Sequence, residues 1–384
     1  MKKKKVCCIT GTRADYPRVK SVLKLIKKNK NLDLQIIVTG SHLLKSHGFS
    51  YKEILNDGFK INKKVKMYDG EYDSPLGMTL ATAKCTAGIA DALDSLKPDV
   101  VLLTVDRVET LSAATAASLM NFPIFHIQGG EVTGTIDESI RHAVTKLSHF
   151  HFPATSDAKK RIIKMGEPTK YVKKVGCPYI DEINNLKPTS KKELERKYKL
   201  PLDERFCIFT QHPVTTEYGE ESHQILETLK ALDDFDDFNV INLSSNPDAG
   251  GKRISKLLKD NKKFTFIPNM DSKDFLSLMK YASFMIGNSS AGIREAPSFG
   301  LPVINIGTRQ NGRLRASNVL DVKHDRYEIK KAIQKVLNDK KFILKMKNLK
   351  NPYGDGKAAK RIVKFIEETK ITKQFIQKRI VDVE

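Results

Sequence analysis

The sequence lacks any apolar run of about 18 residues, the length a membrane-spanning helix needs, and no apolar signal-type segment follows its start. "MKKKK" leads straight into the strand-like "VCCIT". A soluble, cytoplasmic protein with no membrane partner is expected. Cysteine is scarce: Cys7, Cys8, Cys85, Cys177 and Cys207 are scattered along the 384 residues, without a C-x-x-C. This argues against a disulfide framework or a cysteine zinc site and for buried thiols in a reducing compartment. Negative charge is short as well, with 45 Asp and Glu against 67 Lys and Arg, a net charge of +22. The lysines are spread along the whole length and no basic motif is interleaved with aromatics, so no nucleic-acid partner is expected. A positive field would also attract a small anion.

What is present is a regular alternation of short apolar strands and amphipathic helices. "VCCIT" (6–10), "LQIIVTG" (34–40), "DVVLLTVD" (99–106) and "PIFHI" (123–127) alternate with helices near 17–28, 51–56, 80–96, 110–120 and 136–149. The runs of Val, Ile and Leu show no period of two, as expected of parallel strands buried on both faces. The pattern pauses near 176–190, where "GCPYIDEINNLKPTS" carries two prolines, then restarts with "FCIFTQH" (206–212), "FNVINL" (238–243), "FTFIP" (264–268), "FMIGNSS" (284–290) and "PVINIG" (302–307). The expectation is an α/β protein of two Rossmann-like, doubly wound domains with a cleft between them. The first covers 1–180 and is joined by a C-terminal helix over 358–378 (segment 358–384); the second covers 181–357. Ligands of open α/β sheets sit outside the carboxyl ends of the strands, so residues just after strands are the candidates.

After the first strand, "TGTRADYPRVK" is not G-x-G-x-x-G, so a dinucleotide fingerprint is absent there. Gly11 allows a tight turn, and Arg13 and Asp15 follow as candidates for phosphate or sugar. Asp106 and Arg107 end the third run; an Asp suits acid–base work and an Arg holds anions. In "HIQGGEVTGTIDESIRHAVTKLSHFHF" (126–152), Gly129 and Gly130 let a ligand approach the backbone. Glu131 and Asp137 flank the start of a helix. Thr135 and Glu138 read as a capping box for it, and Ile140, Ala143, Val144 and Leu147 as its apolar stripe. His142, His149 and His151 read as packing or supporting groups. With no H-x-x-x-H in register with a carboxylate, no metal is expected. In the second half His212 stands beside a proline turn, suited to proton transfer or phosphate contact. Asn246 and Asp248 follow the next strand. "IGNSSAGIREA" (286–296) breaks at Gly287, opens a helix with Ser289 and Ser290, and places Glu295 one turn on, within reach of ribose hydroxyls. Arg309 and Arg313 follow the last strand. Carboxylates in one domain and a diphosphate cradle in the other imply an enzyme acting on a nucleotide-activated group.

Together these segments resemble the hydrolysing UDP-N-acetylglucosamine 2-epimerases: the bacterial sialic-acid-pathway enzymes and the epimerase half of the animal bifunctional enzyme. The matching motifs run from "GTRADY" through "GSHL" (40–43), "DR" (106–107), "GGEVTGTIDESIRHAVTKLSH", "QHPVTT", "NPDAG", "GNSSAGIRE" and "GTRQNGR" to "YGDG" (353–356). The resemblance implies a glycosyltransferase-B-like fold, UDP held mainly by the second domain, a C-terminal helix crossing back onto the first, and a homodimer or homotetramer. It implies anti elimination of UDP to a glycal, then addition of water, giving N-acetylmannosamine for sialic acid synthesis with neither NAD nor metal. Carried over by residue, Asp106 and Asp137 match the acid/base carboxylates, His212 the cleft histidine, and Arg13 and His42 first-domain contacts. Asn246, Ser289, Ser290, Glu295 and Arg309 match the nucleotide-binding set. Gln128 stands where many members carry Glu; an amide cannot relay a proton, so either Glu131 takes part or fewer carboxylates suffice. A different sugar, UDP-2,4-diacetamido-2,4,6-trideoxyglucose, is the alternative substrate, and a glycosyltransferase on the same fold the alternative reaction.

Overall fold

The computed structural model describes residues 3–69, 75–133, 136–217, 219–244, 254, 256–258, 263–268 and 270–382. The candidates Asn246 and Asp248 and the capping residue Thr135 lie outside them. The chain divides into two compact units. Unit 1 comprises 1–131, 137–182 and 353–384; unit 2 comprises 132–136 and 183–352.

Unit 1 is built on a parallel sheet of β1 (Lys4–Thr10), β2 (Leu32–Val38), β3 (Lys63–Lys64), β4 (Val100–Thr104), β5 (Ile124–Ile127) and β6 (Phe150–Phe152), in the order β3-β2-β1-β4-β5-β6. Its central strands β4 and β5 are buried throughout, which is why they read as mostly Val, Ile, Leu and Phe. Unit 2 repeats the plan with β7 (Phe206–Thr210), β8 (Asn239–Leu243), β9 (Phe264–Ile267), β10 (Phe284–Gly287), β11 (Val303–Ile306) and β12 (Val319–Val322), ordered β12-β11-β10-β7-β8-β9. Read from β9, this is the same doubly wound order as unit 1. The strand order therefore reverses direction at β1/β4 in one sheet and at β7/β10 in the other, and these switch points are where open α/β sheets bind ligands.

The tail departs from the expected single helix over 358–378. The helix Ala358–Glu368 stops, and a separate single turn, Lys373–Ile376, follows. Ala359, Ile362, Val363 and Ile366 form its buried stripe in the unit 1 core, joined by Phe375, at the i, i+3, i+4, i+7 spacing of an amphipathic helix. Strands β3, β6 and β12 were not anticipated. β3 has two residues, and β12 is only partly buried, so neither presents a distinct apolar run. All five cysteines are buried and free. Among the described residues no helix is long and apolar enough to cross a membrane.

Candidate active site

In unit 1 the loop after β1 is braced by its own carboxylate. Asp15 Oδ2 accepts the backbone N–H of Gly11 (3.1 Å) and Thr12 (3.0 Å), and Oδ1 accepts the Thr12 hydroxyl (2.7 Å). Asp15 is buried, and burial first, then the neighbouring Glu109 carboxylate, pushes its pKa up to about 7. Asp15 thus shapes the loop rather than projecting from it, whereas Arg13 is exposed. His42 is also turned inward. Its Nε2 meets Thr10 Oγ1 at 3.0 Å and its Nδ1 meets Ser50 Oγ at 2.8 Å. Burial lowers its pKa to about 3, so the ring is neutral at pH 7, with both nitrogens already bonded.

Asp106 and Arg107 follow β4 closely. The guanidinium of Arg141 holds Asp106, donating from Nε (2.8 Å) and Nη2 to the single oxygen Oδ2. Arg141 has no exposed surface; its Nη1 also donates to the carbonyl of Glu131 (2.8 Å) and to Glu138 Oε2 (3.3 Å). One buried cation therefore fixes the Asp106 carboxylate, the backbone at Glu131 and the first turn of the helix Asp137–Leu147. That helix buries Ile140, Arg141, Val144 and Thr145, while Ala143 is exposed. The expected apolar stripe is thus rotated by about one residue, bringing Arg141 inside. His142 is not a core histidine: it is half-buried and pairs with Glu138 Oε1 at 3.1 Å. Asp137 opens the helix, half-buried.

The backbone on either side of this clamp is forced. Val105 (φ +59°) and Gln128 (φ +63°) both adopt left-handed conformations, which for a β-branched valine costs of order 1–3 kcal/mol. His126 supports Val105: buried and held neutral, with its pKa lowered to about 4, it donates from Nε2 to the Val105 carbonyl at 2.8 Å. Gly129 lies against that ring; a Cβ there would sit 2.8 Å from His126 Nδ1. Gln128 is buried, and neither Oε1 nor Nε2 has a hydrogen-bond partner among the described residues. Glu131 is buried beside it in sequence.

Sequence reasoning missed Glu109. Its side chain is wedged between the first two loops, where a Cβ on Gly11 would lie 2.6 Å from Glu109 Cβ and Cγ, and one on Gly40 2.7 Å from Cγ and Oε1. Tyr68 donates to Glu109 Oε1 at 3.3 Å, and Arg107 Nε stands 4.0 Å from Oε2. The available signal was a charged residue in the first turn of an otherwise small and apolar helix, Val108–Leu119.

In unit 2 the loops around the β7/β10 switch point are joined through Asn288. His212 is half-buried, just beyond β7. The side chain of Asn288 takes its backbone N–H (2.7 Å) and carbonyl (2.8 Å). Gly287 has φ +121°, and a Cβ there would collide with the Thr210 carbonyl. Ser289 caps the helix Ser290–Arg294, its Oγ accepting from Ala291 N at 3.4 Å. This helix has only five residues, so any anion affinity here rests on local N–H and hydroxyl groups more than on a long aligned dipole. Glu295 is buried at its end. Arg309 Nη1 (3.2 Å) and Gln310 Nε2 (2.8 Å) both donate to the Asn288 carbonyl. Arg313 is half-buried. Among the described residues no group of three or more His, Cys, Asp or Glu is placed to hold a metal.

Two doubly wound units, each on a six-stranded parallel sheet, define a glycosyltransferase-B-like architecture. Within it, the profile of the UDP-N-acetylglucosamine 2-epimerase family matches residues 24–367, and the chain belongs to this family. It is similar to a Campylobacter jejuni protein named GDP/UDP-N,N'-diacetylbacillosamine 2-epimerase (hydrolyzing), 39% identical over 84% of this chain and 85% of that one. It is also similar to a Neisseria meningitidis protein named UDP-N-acetylglucosamine 2-epimerase, 36% identical over 88% and 89%. The fold is shared with the crystal structure of a Neisseria meningitidis UDP-GlcNAc 2-epimerase bound to UDP-GlcNAc, at a TM-score of 0.82 and 24% identity, covering 95% and 100% of the two chains. The chain is an enzyme, a hydrolysing UDP-sugar 2-epimerase.

Proposed function

We propose that the substrate is UDP-N,N'-diacetylbacillosamine, the 2,4-diacetamido-2,4,6-trideoxy sugar nucleotide, supported by the 39% identity to the Campylobacter protein of that name. UDP-N-acetylglucosamine, giving N-acetylmannosamine for sialic acid synthesis, is the second reading, supported by the family description and the meningococcal relative. In either case a base removes the C2 proton as the C1–O bond to UDP breaks, leaving a glycal. Water then adds at C1 and a proton returns to C2 on the opposite face. The C2 hydrogen is only weakly acidic, so the site must combine a base with stabilisation of the departing diphosphate.

The observation that carries this reading is the Asp106–Arg141 clamp at the β1/β4 switch point. It fixes a carboxylate where a ligand of this fold binds. We assign proton transfer at C2 to Asp106 and Asp137, with Glu131 assisting, and anion contacts to Arg13 and Arg107. Gln128, an amide, binds the substrate without carrying a proton. Asp15 and His42, whose polar atoms are engaged internally, shape the binding loops. In unit 2, Ser289, Ser290, Arg309 and Arg313 hold the diphosphate, Glu295 the ribose, and His212 the reacting end of the phosphate; Asn246 and Asp248 complete the nucleotide-binding set.

Incubating the enzyme with each sugar nucleotide in deuterated water tests the reading. Release of UDP with one deuterium at C2 of the free 2-epimer is expected, faster from the diacetamido sugar. UDP release without C2 deuterium would overturn the mechanism, and faster turnover of UDP-N-acetylglucosamine would reverse the order of substrates.

A further inference from the structure

We propose that Asn288 is a positioning residue for His212, setting the direction of the imidazole through its backbone and tying it to Arg309. The inference rests on the reading of His212 as part of the active site. Strand β7 ends at Thr210, so the backbone groups of His212 have left the sheet ladder and need other partners. Pro213 follows, and its ring disfavours the helical region for His212. A primary amide offers a donor and an acceptor on one planar head. Asn288 uses both on the same residue, with Oδ1 accepting from His212 N–H at 2.7 Å and Nδ2 donating to His212 O at 2.8 Å. A backbone held at N–H and C=O cannot rotate freely, so the Cα–Cβ bond of His212 has a fixed direction.

The amide is itself immobilised. Asn288 has no exposed surface, and its own N–H donates to the Thr210 carbonyl at 3.1 Å. Gly287 makes this possible, since any side chain at that left-handed position would collide with Thr210. The Asn288 carbonyl in turn receives Gln310 Nε2 and Arg309 Nη1. One residue thus joins the loops that follow β7, β10 and β11, and the histidine and an arginine of the same unit share its reference point.

The test uses steady-state kinetics on the full chain, with whichever sugar nucleotide the wild type turns over, and UDP affinity by calorimetry. Asn288→Ala is expected to lower kcat about 10–100-fold, the scale of a misplaced catalytic group, with KM and UDP affinity within about threefold. In a His212→Asn background the same change should cost nothing further. Asn288→Asp supplies the discriminating readout. Ionised, its second oxygen faces the His212 carbonyl; protonated, it donates there as the amide does. Its activity relative to wild type should therefore rise as pH falls, a change that a purely structural role would not produce. Wild-type kcat in Asn288→Ala, alongside a large loss in His212→Asn, would overturn the positioning role. Full activity in His212→Asn would instead overturn the reading of His212. If Asn288→Ala does not fold, the pH dependence of Asn288→Asp decides the matter, and a flat ratio counts against the proposal.

Discussion

In the first sheet the loops leaving β4 and β5 are organised by an ion pair: Asp106 against a guanidinium with no exposed surface. In the second the loops leaving β7 and β10 are organised by an amide, Asn288, which is equally buried but uncharged. The strand order is the same, so the fold fixes where the chemistry sits and not which chemistry it is. Burying a charge is unfavourable unless a counter-charge and further hydrogen bonds accompany it, and Arg141 meets that condition by also engaging Glu131 and Glu138. An amide needs only backbone partners. Unit 1 is thus suited to holding a carboxylate for proton transfer, and unit 2 to fixing groups around an anion that the ligand itself brings.

The comparison is broken most severely at Asp106. Asp106→Asn keeps the shape and removes the charge; turnover should fall more than about 10³-fold, comparable to loss of an essential catalytic group, while UDP affinity by calorimetry stays within about threefold. Near-normal turnover would remove proton transfer from unit 1. Next is Arg141→Leu, which leaves Asp106 buried without its cation. A loss of about 3–5 kcal/mol in unfolding free energy is expected by denaturant titration, as for breaking a buried ion pair, together with loss of turnover. A small stability change would show that water replaces the guanidinium.

Much of this was legible in the sequence, for physical reasons. Continuous apolar runs marked nine of the twelve strands among the described residues, because parallel strands buried on both faces cannot show alternation. The two-residue β3 and the partly buried β12 gave no such signal. Asp106 and the Gly287–Ser290 loop were singled out as candidates because polar residues directly after buried strands stand out. Arg141, Glu109 and Asn288 were missed because their importance lies in partners 35, 41 and 76 positions away, Asp106, Tyr68 and His212. Arg141 left a trace nonetheless: with Val144 and Thr145 it completes a helical stripe that only a buried arginine explains. Residue type alone also does not reveal that the Asp15 carboxylate and the His42 imidazole make hydrogen bonds within unit 1.

A smaller effect sharpens the contrast from the side of unit 2. Ser290→Ala removes one hydroxyl from the loop after β10 and leaves the Asn288 clamp intact. UDP affinity should weaken about 10–150-fold, the worth of a hydrogen bond to a charged group, with kcat at saturation nearly unchanged. A fall in kcat with unchanged KM would move Ser290 from holding the nucleotide to stabilising the transition state.

The last effect is a pH slope to which the ion-organised unit contributes. His126 is buried neutral beneath the Asp106 loop, its pKa lowered to about 4 by burial, against about 6.5 in an unfolded chain. Between these values the unfolded state binds the extra proton and the folded state does not. Stability therefore rises with pH from about 4 to 6.5 and is lost as pH falls through that window, by up to about 1.4 kcal/mol per pH unit for this one group. His42, lowered to about 3, acts in the same direction. Asp15, raised to about 7, opposes both, because ionising it costs folded stability as pH climbs from about 4 to 7. The wild-type slope is thus a sum of opposing terms, and the informative quantity is a difference. His126→Asn keeps a donor near the Val105 carbonyl and removes the titration. Its unfolding free energy, measured by denaturant titration at pH 4.5, 5.5 and 6.5, should fall less steeply on acidification than that of the wild type. Parallel slopes would mean that His126 is already protonated in the folded protein, and the Val105 loop would then rest on a cation rather than on a neutral ring.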